Sequence, residues 1–294
     1  MISKVDSQSL DLKELWLDDN QLTELPEDIS SMIHLKRFSA YKNGLTSLPE
    51  FLFNLTNLER INISVNTISH IPQSIGTLKK LQVLDINHNR LAEIPESIGN
   101  LTNLQFLYLA GNKLRFLPQH LENLKHLVYL NITHNLFEDL PKCVEGMTNL
   151  LELRIYHNSI ASIPGFIENL TRLKEIHAMN NRIETIDESI GHLRHLKKLM
   201  LEENLLKVLP TSIGNLINLT DLDLRSNQLI SLPDTIGNLH SLRFLDLRNN
   251  HLKSIPTSIL NLKNLEKLDL RLNKGLVIPD WLHILEQRGC TLFY

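Results

Sequence analysis

The sequence predicts an α/β solenoid in which one short unit is stacked on copies of itself, and three recurring features support that prediction. An asparagine returns every 23 residues without interruption, and a leucine stands eight residues before each one. All eleven prolines of the chain occupy the slot six residues after an asparagine. A constant period of about 20 to 50 residues is the signature of a stacked repeat. The asparagines are Asn20, Asn43, Asn66, Asn89, Asn112, Asn135, Asn158, Asn181, Asn204, Asn227, Asn250 and Asn273.

The repeating unit reads LxxLxLxxNxLxxLPxxIxxLxx and occurs twelve times between Leu12 and Gln287. Its LxLxx segment alternates apolar and polar residues, so each repeat is predicted to contribute one half-buried strand that runs parallel to its neighbours. Proline lacks an N–H group and disfavours helix in the residue before it, so the return connection begins extended. The IxxL spacing that follows favours a short 3₁₀ or helical turn. Asp187 is the one exception in the proline slot.

The repeated asparagine has a predicted structural role. Where each strand turns toward the interior, backbone groups of adjacent repeats must form hydrogen bonds without water. An amide side chain both donates and accepts hydrogen bonds, whereas a leucine side chain does neither. We therefore expect the asparagines to form a buried ladder that joins successive repeats.

These motifs resemble those of leucine-rich repeat proteins of the 23-residue, LPxxI-containing class, which includes Ras-pathway and cell-polarity scaffolds. The resemblance extends over nearly the whole chain. It implies a horseshoe with a parallel concave β-sheet and short 3₁₀ or helical turns on the convex side, and it implies protein binding without catalysis. The ending LEQRGCTLFY is similar to the tails of bacterial members, which indicates a bacterial origin.

The repeat frame also predicts the domain organisation. Residues 1–11 are expected to form a short N-terminal cap, residues 12–287 the twelve repeats, and residues 288–294 a C-terminal capping strand. Because each unit of a solenoid contacts only its neighbours, we expect one continuous domain. Trp16 lies on the exposed face of the first predicted strand, where it either covers the end of the stack or contacts a partner.

Composition and charge narrow the function classes. A net charge of −3 and a pI near 6.5 give no basic footprint for nucleic acid. No apolar run approaches the roughly 18 residues that a membrane span requires, and the N-terminus lacks the apolar core of a secretory signal. Two distant cysteines, Cys143 and Cys290, favour a reducing cytoplasm. The alternative location is the cytosol of a host cell after secretion by a bacterium, and we expect a monomer.

Sequence motifs for chemistry are missing. The chain has no GxxxxGK phosphate loop, no HExxH pair and no GxSxG elbow, so we expect no catalytic residues and no cofactor. His134 and His157 share one column of adjacent repeats, but no carboxylate or thiol completes a metal-ligand set, and no metal is predicted. Only 7 residues follow Gln287, which leaves little room for a catalytic domain within this sequence.

The predicted binding surface comes from side chains that alternate with the buried leucines. Strands lie about 4.8 Å apart, so the residues two, four, six and seven positions after each leading leucine form continuous columns. Four of the five tyrosines lie in these columns, and Tyr and Arg dominate interface hot spots. The alternative is that strand propensity alone places aromatic residues there. The predicted site in repeats 5 to 9 consists of Phe106, Tyr108, Tyr129, Asn131, His134, Arg154, Tyr156, His157, His177, Met179, Met200 and Glu202.

Repeats 10 to 12 carry a different pattern. One column is entirely aspartate and the next entirely arginine, so each acid is predicted to lie between bases and to relieve like-charge repulsion. The alternative interpretation is a polar docking rim. The two columns are Asp223, Asp246 and Asp269 beside Arg225, Arg248 and Arg271.

Three functional hypotheses therefore follow. The first is a non-enzymatic module that binds a protein partner through its concave sheet face. The second is a bacterial effector that engages a host signalling or ubiquitin-pathway protein. The third is the substrate-recognition module of a larger enzyme.

Overall fold

A computed structural model describes residues 11–294, and the predicted cap at residues 1–11 falls, apart from its last residue, outside them. The described chain forms two compact units. The first unit comprises residues 11–136 and 141–150, and the second comprises residues 137–140 and 151–294.

The first unit contains a parallel sheet whose strands follow one another in chain order. Each residue is aligned with the residue 23 positions later, as Leu107 is with Leu130, so the register repeats the period of the sequence. Within the described part of this unit, the strands are β1 (Glu14–Trp16), β2 (Arg37–Ser39), β3 (Arg60–Asn62), β4 (Val83–Asp85), β5 (Phe106–Tyr108) and β6 (Tyr129–Asn131).

The second unit repeats this architecture. Its main sheet is parallel and ends with β15 beside β14, while β8 and β10 form a separate two-stranded parallel sheet. The strands are β7 (Glu152–Arg154), β8 (Ser162–Ile163), β9 (Glu175–His177), β10 (Thr185–Ile186), β11 (Lys198–Met200), β12 (Asp221–Asp223), β13 (Phe244–Asp246), β14 (Lys267–Asp269) and β15 (Thr291–Phe293).

The return segments form the short turns that the proline and IxxL spacing predict. Each turn is a 3₁₀ helix, preceded by an extended residue that is proline except at Asp187, whose side chain accepts a hydrogen bond from Ser189 N at 2.9 Å. The turns are Glu27–Ser31, Glu50–Asn54, Gln73–Thr77, Glu96–Asn100, Gln119–Asn123, Lys142–Gly146, Gly165–Asn169, Glu188–His192, Thr211–Asn215, Asp234–Asn238, Thr257–Asn261 and Asp280–Leu282.

The chain closes with a short α-helix, α1 (His283–Gln287), and the strand β15. Gly289 lies between them with a φ of +92°, a conformation that glycine adopts readily and other residues rarely. None of the helices among the described residues is long and apolar enough to cross a membrane.

The predicted asparagine ladder is confirmed in both units. Asn135 accepts a hydrogen bond from Leu114 N at 3.0 Å and donates to the carbonyls of Leu109 and Ile132 at 3.0 and 3.1 Å. Asn204 makes the equivalent three bonds in the second unit. Both side chains are buried, so each amide replaces the water that these backbone groups would otherwise need.

A left-handed residue stands directly before every ladder asparagine. The φ angles at these positions lie between 51° and 65°, and Gly111 is the only glycine among them. This conformation turns the chain inward immediately after the strand. The α/β solenoid predicted from the 23-residue period is therefore the observed fold, with leucines and isoleucines of every repeat buried in the core.

Candidate functional site

The outward side of the strands is the face on which the predicted site residues were placed. In β5 the central Leu107 is fully buried, whereas Phe106 and Tyr108 on either side of it are half-buried. The same alternation holds in β12, where Leu222 is buried between two half-buried aspartates. We call the side of each sheet that carries these flanking residues its open face.

Three aromatic rings meet on the open face of the first unit and form what we call the aromatic patch, Phe106, Tyr108 and Tyr129. The ring centroids of Tyr108 and Tyr129 are 4.9 Å apart, and those of Phe106 and Tyr129 are 6.3 Å apart. Tilted pairs at such distances stabilise each other by about 0.5 to 1.5 kcal/mol. All three side chains remain half-buried, so the patch keeps apolar area in contact with water.

Asn131 was predicted to face a partner, and that prediction is wrong. Its side chain is 9% exposed, and its Oδ1 accepts a hydrogen bond from Thr133 N at 3.1 Å. Asn131 stands four residues after the leading leucine of its repeat. The Asn or Asp at this position accepts a hydrogen bond from the backbone N–H two residues later in other repeats too, as Asp85 does from Asn87 N at 3.0 Å. Short polar side chains commonly close turns in this way. Asn131 therefore shapes the end of its strand.

Asp85 lies beside the aromatic patch, aligned with Tyr108 in the neighbouring strand. Burial raises the pKa of Asp85 above its ordinary value, and the hydrogen bond from Asn87 N opposes that shift only in part. The carboxyl group is thus held where water has limited access.

His134 and His157 are exposed, but neither belongs to a strand. Both occupy the left-handed position before a ladder asparagine, with φ of 51° and 53°. The Tyr156 ring contacts the His157 ring edge-on, with centroids 5.4 Å apart. These imidazoles therefore project from the turn that follows each strand.

The second unit gathers a set of charged side chains on its open face that we call the charged cluster, Glu152, Arg154, Glu175, His177 and Lys198. Arg154 Nε lies 2.5 Å from Glu152 Oε1, and Lys198 Nζ lies 3.1 Å from Glu175 Oε1. His177 Nε2 lies 2.9 Å from Glu175 Oε2. Burial would raise the pKa of Glu175, but the hydrogen bonds from His177 and Lys198 outweigh burial and lower it. This carboxylate is therefore ionised at neutral pH.

Sequence reasoning named Arg154 and His177 but missed Glu152 and Glu175. The signal was present, because both glutamates stand two residues after a leading leucine, in the column that holds Phe106. Within the described residues, ligand atoms of Glu152, Glu175 and His177 lie within 4.8 Å of one another. A metal ion there would have to compete with Arg154 and Lys198, which already neutralise the two carboxylates.

Met179, Met200 and Glu202 are all half-buried on the open face of the second unit. Glu202 forms an ion pair with Arg225 from the next repeat. The two methionines add flexible apolar area of the kind that adapts to different binding surfaces. The predicted residues of this unit therefore form a mixed surface of thioether, carboxylate and imidazole groups.

The paired aspartate and arginine columns form an ion-pair ladder, Asp246, Arg248, Asp269 and Arg271. Arg248 Nε lies 2.9 Å from Asp246 Oδ1 and 3.3 Å from Asp269 Oδ2. Arg271 Nη2 lies 2.6 Å from Asp269 Oδ2. The predicted arrangement, each acid between bases, is thus confirmed at Asp269. It is wrong at Asp223, because Arg225 pairs with Glu202.

Both cysteines are free and buried. Burial raises the pKa of the Cys143 thiol to about 12 and that of the Cys290 thiol to about 11. A thiol is nucleophilic and binds metal as the thiolate, so neither group is set up for such chemistry near neutral pH.

Comparison with known proteins identifies families and solved structures that this chain resembles. A family model described as a leucine-rich repeat region matches residues 97–206. Two models described as a leucine-rich repeat match the residues 33–91 and 194–252 in one case and 11–32 in the other. A leucine-rich repeat protein of Leptospira interrogans is 30% identical with a TM-score of 0.71, and the match covers 100% of this chain and 86% of that one. The chain belongs to the leucine-rich repeat family.

Other solved structures resemble this leucine-rich repeat protein. The plant peptide hormone receptor RGFR1, solved in complex with RGF2, is 28% identical with a TM-score of 0.68 over 90% of this chain. The present chain spans about half of that receptor, 52% of its length. An internalin of Listeria monocytogenes, 22% identical with a TM-score of 0.74, shares the fold over 98% of this chain and 88% of its own. A search of curated protein sequences finds no match.

Proposed function

We propose that this leucine-rich repeat protein is a non-enzymatic module that binds a protein partner through the open face of its sheets, which is the predicted concave face. The observation that carries the proposal is the aromatic patch. Three rings on two adjacent strands contact one another while remaining half-buried. The receptor RGFR1, 28% identical, is solved in complex with RGF2, which supports a binding role for this fold.

The patch has the physical properties of an interface anchor. Its backbone is fixed by parallel strands whose register is constant, so little backbone entropy is lost on binding. Aromatic side chains have few rotatable bonds and large contact areas, and they dominate the binding energy of many interfaces. A partner that covered the rings would remove apolar surface from water at about 25 cal/mol per Å².

Strand propensity also favours aromatic residues, and it requires no partner. The two explanations differ in what they predict for a matched aromatic outside the strands. Phe116 is 56% exposed and belongs to no strand, so it contributes exposed aromatic area without being on the open face. Phe116→Ala is therefore the control for the patch.

The test is affinity capture by the full chain, followed by a binding titration with each captured protein. We expect the double variant Tyr108→Ala, Tyr129→Ala to bind a captured partner at least about tenfold more weakly, a loss of about 1.4 kcal/mol. Phe116→Ala should bind as the wild type does. A partner whose affinity is the same for all three proteins would refute the patch as the binding surface.

A second proposal is that the chain is a bacterial effector acting on a host signalling or ubiquitin-pathway protein. The 30% identity to the Leptospira interrogans protein supports a bacterial relative. A reporter fused to the chain should then appear in the host cytosol during infection. Retention of the reporter in the bacterium under conditions that deliver a known effector would remove this proposal.

The remaining expectations are also kept as proposals. A cytoplasmic location agrees with two free and buried cysteines, and fractionation of the source organism would test it. A monomer would sediment at 33.9 kDa. Whether the reading frame continues beyond Tyr294 decides between an independent module and the recognition part of a larger enzyme.

A further inference from the structure

A cavity of about 230 Å³ opens on the open face of the second unit, along β11, β12, β13 and β14. The buried Leu222 and Leu245 line it together with six side chains that extend from the open face. These six are Met200, Asp221, Asp223, Phe244, Asp246 and Lys267.

The carboxylates of the cavity are neutralised unequally. Asp246 is held by Arg248, with Nε to Oδ1 at 2.9 Å and Nη2 to Oδ2 at 2.5 Å. The equivalent arginine for Asp223 would be Arg225, but that guanidinium turns to Glu202. Asp223 Oδ1 accepts a hydrogen bond only from Arg225 N, at 3.0 Å. Among the described residues, no basic side chain lies within ion-pair distance of Asp223.

The other charged groups around Asp223 are mostly acidic. Asp246 is aligned with Asp223 in β13 and Glu202 follows the end of β11, and both carboxylates raise the pKa of Asp223. The Arg248 guanidinium also interacts with the charge of Asp223, but it pairs with Asp246 and Asp269. Lys267 lines the cavity, but its ammonium lies 5.4 Å from the Phe293 ring centroid, on the side of the last strand. Of the cavity carboxylates, Asp246 therefore has a basic partner and Asp223 has none within ion-pair distance, while Asp221 accepts a hydrogen bond from Thr220 Oγ1 at 2.6 Å and interacts with the charge of Arg243.

An aromatic ring and a thioether line the same cavity as Asp223. Phe244 is 37% exposed, and Arg243 already lies over its ring with CZ 5.2 Å from the centroid. Met200 is aligned with Asp223 in the adjacent strand. Lysine and arginine side chains combine an apolar stem with a cationic head, so one such side chain matches a thioether, an aromatic ring and a carboxylate together.

We propose that this cavity receives one cationic side chain, a lysine or an arginine, of the protein partner. The stem packs on Met200 and Phe244, and the head pairs with Asp223. This inference rests on the proposed protein-binding function and adds the chemistry that the partner must present. The charge complementarity is specific to repeat 10, since Arg248 and Arg271 already neutralise the aspartates of repeats 11 and 12.

The proposal predicts that the affinity for the cationic side chain depends on the protonation of Asp223. Burial, together with the hydrogen bond and the charge of Glu202, raises the pKa of Asp223 to about 7. A cationic head next to Asp223 favours its ionised form, so bound ligand lowers that pKa and releases a proton. Affinity should therefore increase as the pH rises through 7.

The experiment follows the carboxyl carbon of Asp223 by NMR in the isotopically labelled full chain. Its titration midpoint is measured alone and with the peptides acetyl-Gly-Arg-Gly-amide and acetyl-Gly-Lys-Gly-amide in the millimolar range. We expect a saturating cationic peptide to lower the midpoint by about one pH unit or more. The citrulline version of the arginine peptide, which has the same shape without the charge, should leave the midpoint unchanged.

Two variants make the result decisive. Asp223→Asn should abolish the chemical-shift changes of Met200 and Phe244 that the peptides cause, whereas Asp234→Asn, at an exposed aspartate of a 3₁₀ turn, should preserve them. An Asp223 midpoint unmoved by both cationic peptides would overturn the proposal. So would an equal response to the citrulline peptide, or a response to calcium chloride alone, which would indicate a divalent-cation site.

The outcome can be separated from that of the proposed function. If the aromatic patch proves irrelevant to partner binding, the peptide response of Asp223 is still measured directly on the isolated protein. If the peptides fail, the dependence of a captured partner on Tyr108 and Tyr129 is unaffected.

Discussion

The aromatic patch and the ion-pair ladder share one position of the repeat, the fourth after the leading leucine, which holds Tyr108 in the patch and Asp246 and Asp269 in the ladder. The side chains at this position are stabilised differently in the two regions. In the ladder, Asp269 is fully buried and is held by Arg248 and Arg271, so its charge is neutralised within the protein. In the patch, three rings contact each other and still keep apolar area in water. A position on the open face therefore does not by itself make a binding residue. Whether its side chain is available to a partner depends on the side chains in the neighbouring column, which pair with Asp269 in the ladder but leave the rings of the patch partly exposed.

The largest effect is expected where the two regions share a scaffold, at the asparagine ladder. Asn135→Ala leaves the buried N–H group of Leu114 without a partner and removes one of the two amide donors to the Leu109 carbonyl, so the free energy of unfolding should fall by about 1 to 3 kcal/mol. Chemical denaturation of wild type and variant measures this change in the free energy of unfolding. Asn103→Ala is the control, because Asn103 donates to Lys79 O at an exposed site and should change stability by less than about 0.5 kcal/mol. Equal effects of both variants would contradict the role assigned to burial.

A smaller effect is expected within the ion-pair ladder. Asp269→Asn removes a buried charge from two guanidinium groups and should lower the free energy of unfolding by about 1 to 2 kcal/mol at neutral pH. Burial would raise the pKa of Asp269, but the hydrogen bonds from Arg271 and the nearby charges outweigh it and lower the pKa. Its stabilisation is present above the ordinary pKa and is lost as the pH falls through the folded value. The difference between variant and wild type should therefore shrink in acid.

The control for that variant is Glu266→Gln, which removes the ion pair with Arg243 on the solvent-exposed surface. Exposed pairs of this kind contribute little to stability, because water screens the attraction between the charges. A Glu266 variant as damaging as the Asp269 variant at pH 7 would mean that burial does not distinguish the two pairs.

The patch should matter less for stability than for binding. Tyr129→Ala removes ring contacts to Phe106 and Tyr108, and we expect a loss of about 0.5 to 1.5 kcal/mol in the free energy of unfolding. Tyr129→Phe retains both ring contacts and should therefore lose less stability than Tyr129→Ala. If Tyr129→Ala destabilised the chain as strongly as Asn135→Ala, the ring would be part of the core and the contrast with the ladder would fail.

A further expected change is in the pH dependence of stability, at Asp223. Its pKa of about 7 in the folded chain lies above the ordinary value of 3.8, so the folded state holds its proton more tightly than the unfolded state. The stability from this group is complete below the ordinary pKa and decreases as the pH rises through 7. Relative to wild type, Asp223→Asn should therefore gain stability as the pH rises from about 4 to about 8. A flat difference across that range would refute the raised pKa.

The 23-residue period of the sequence made the strands, turns and asparagine hydrogen bonds of the fold predictable. The alternating LxLxx segment predicted the strands, the proline slot predicted the extended start of each return, and the asparagine predicted the buried amide bonds. These features depend on residues that recur in every repeat, so each repeat independently specifies the same local structure. The strands β8 and β10 carry no such signal, because they form where the return segments of two repeats happen to pair.

The candidate site was predictable only in part, because its geometry depends on choices between neighbouring side chains. The columns correctly brought Phe106 and Tyr129 together, as the register of β5 and β6 requires. They could not show that Arg225 would pair with Glu202 of the preceding repeat when Asp223 stands only two residues before it in the sequence. Asn131 was misassigned for a local reason, since an amide at the end of a strand bonds its own backbone.

The asparagine ladder also determines how a protein of this kind can change length. The amide of Asn135 bonds only to backbone groups of its own repeat and of the repeat before it. Recombination that inserts or deletes one whole period therefore gives every amide an equivalent set of partners at the new junction. A change of any other number of residues would leave an amide facing the wrong carbonyl. Natural variation in the length of such genes should accordingly occur in steps of 23 codons.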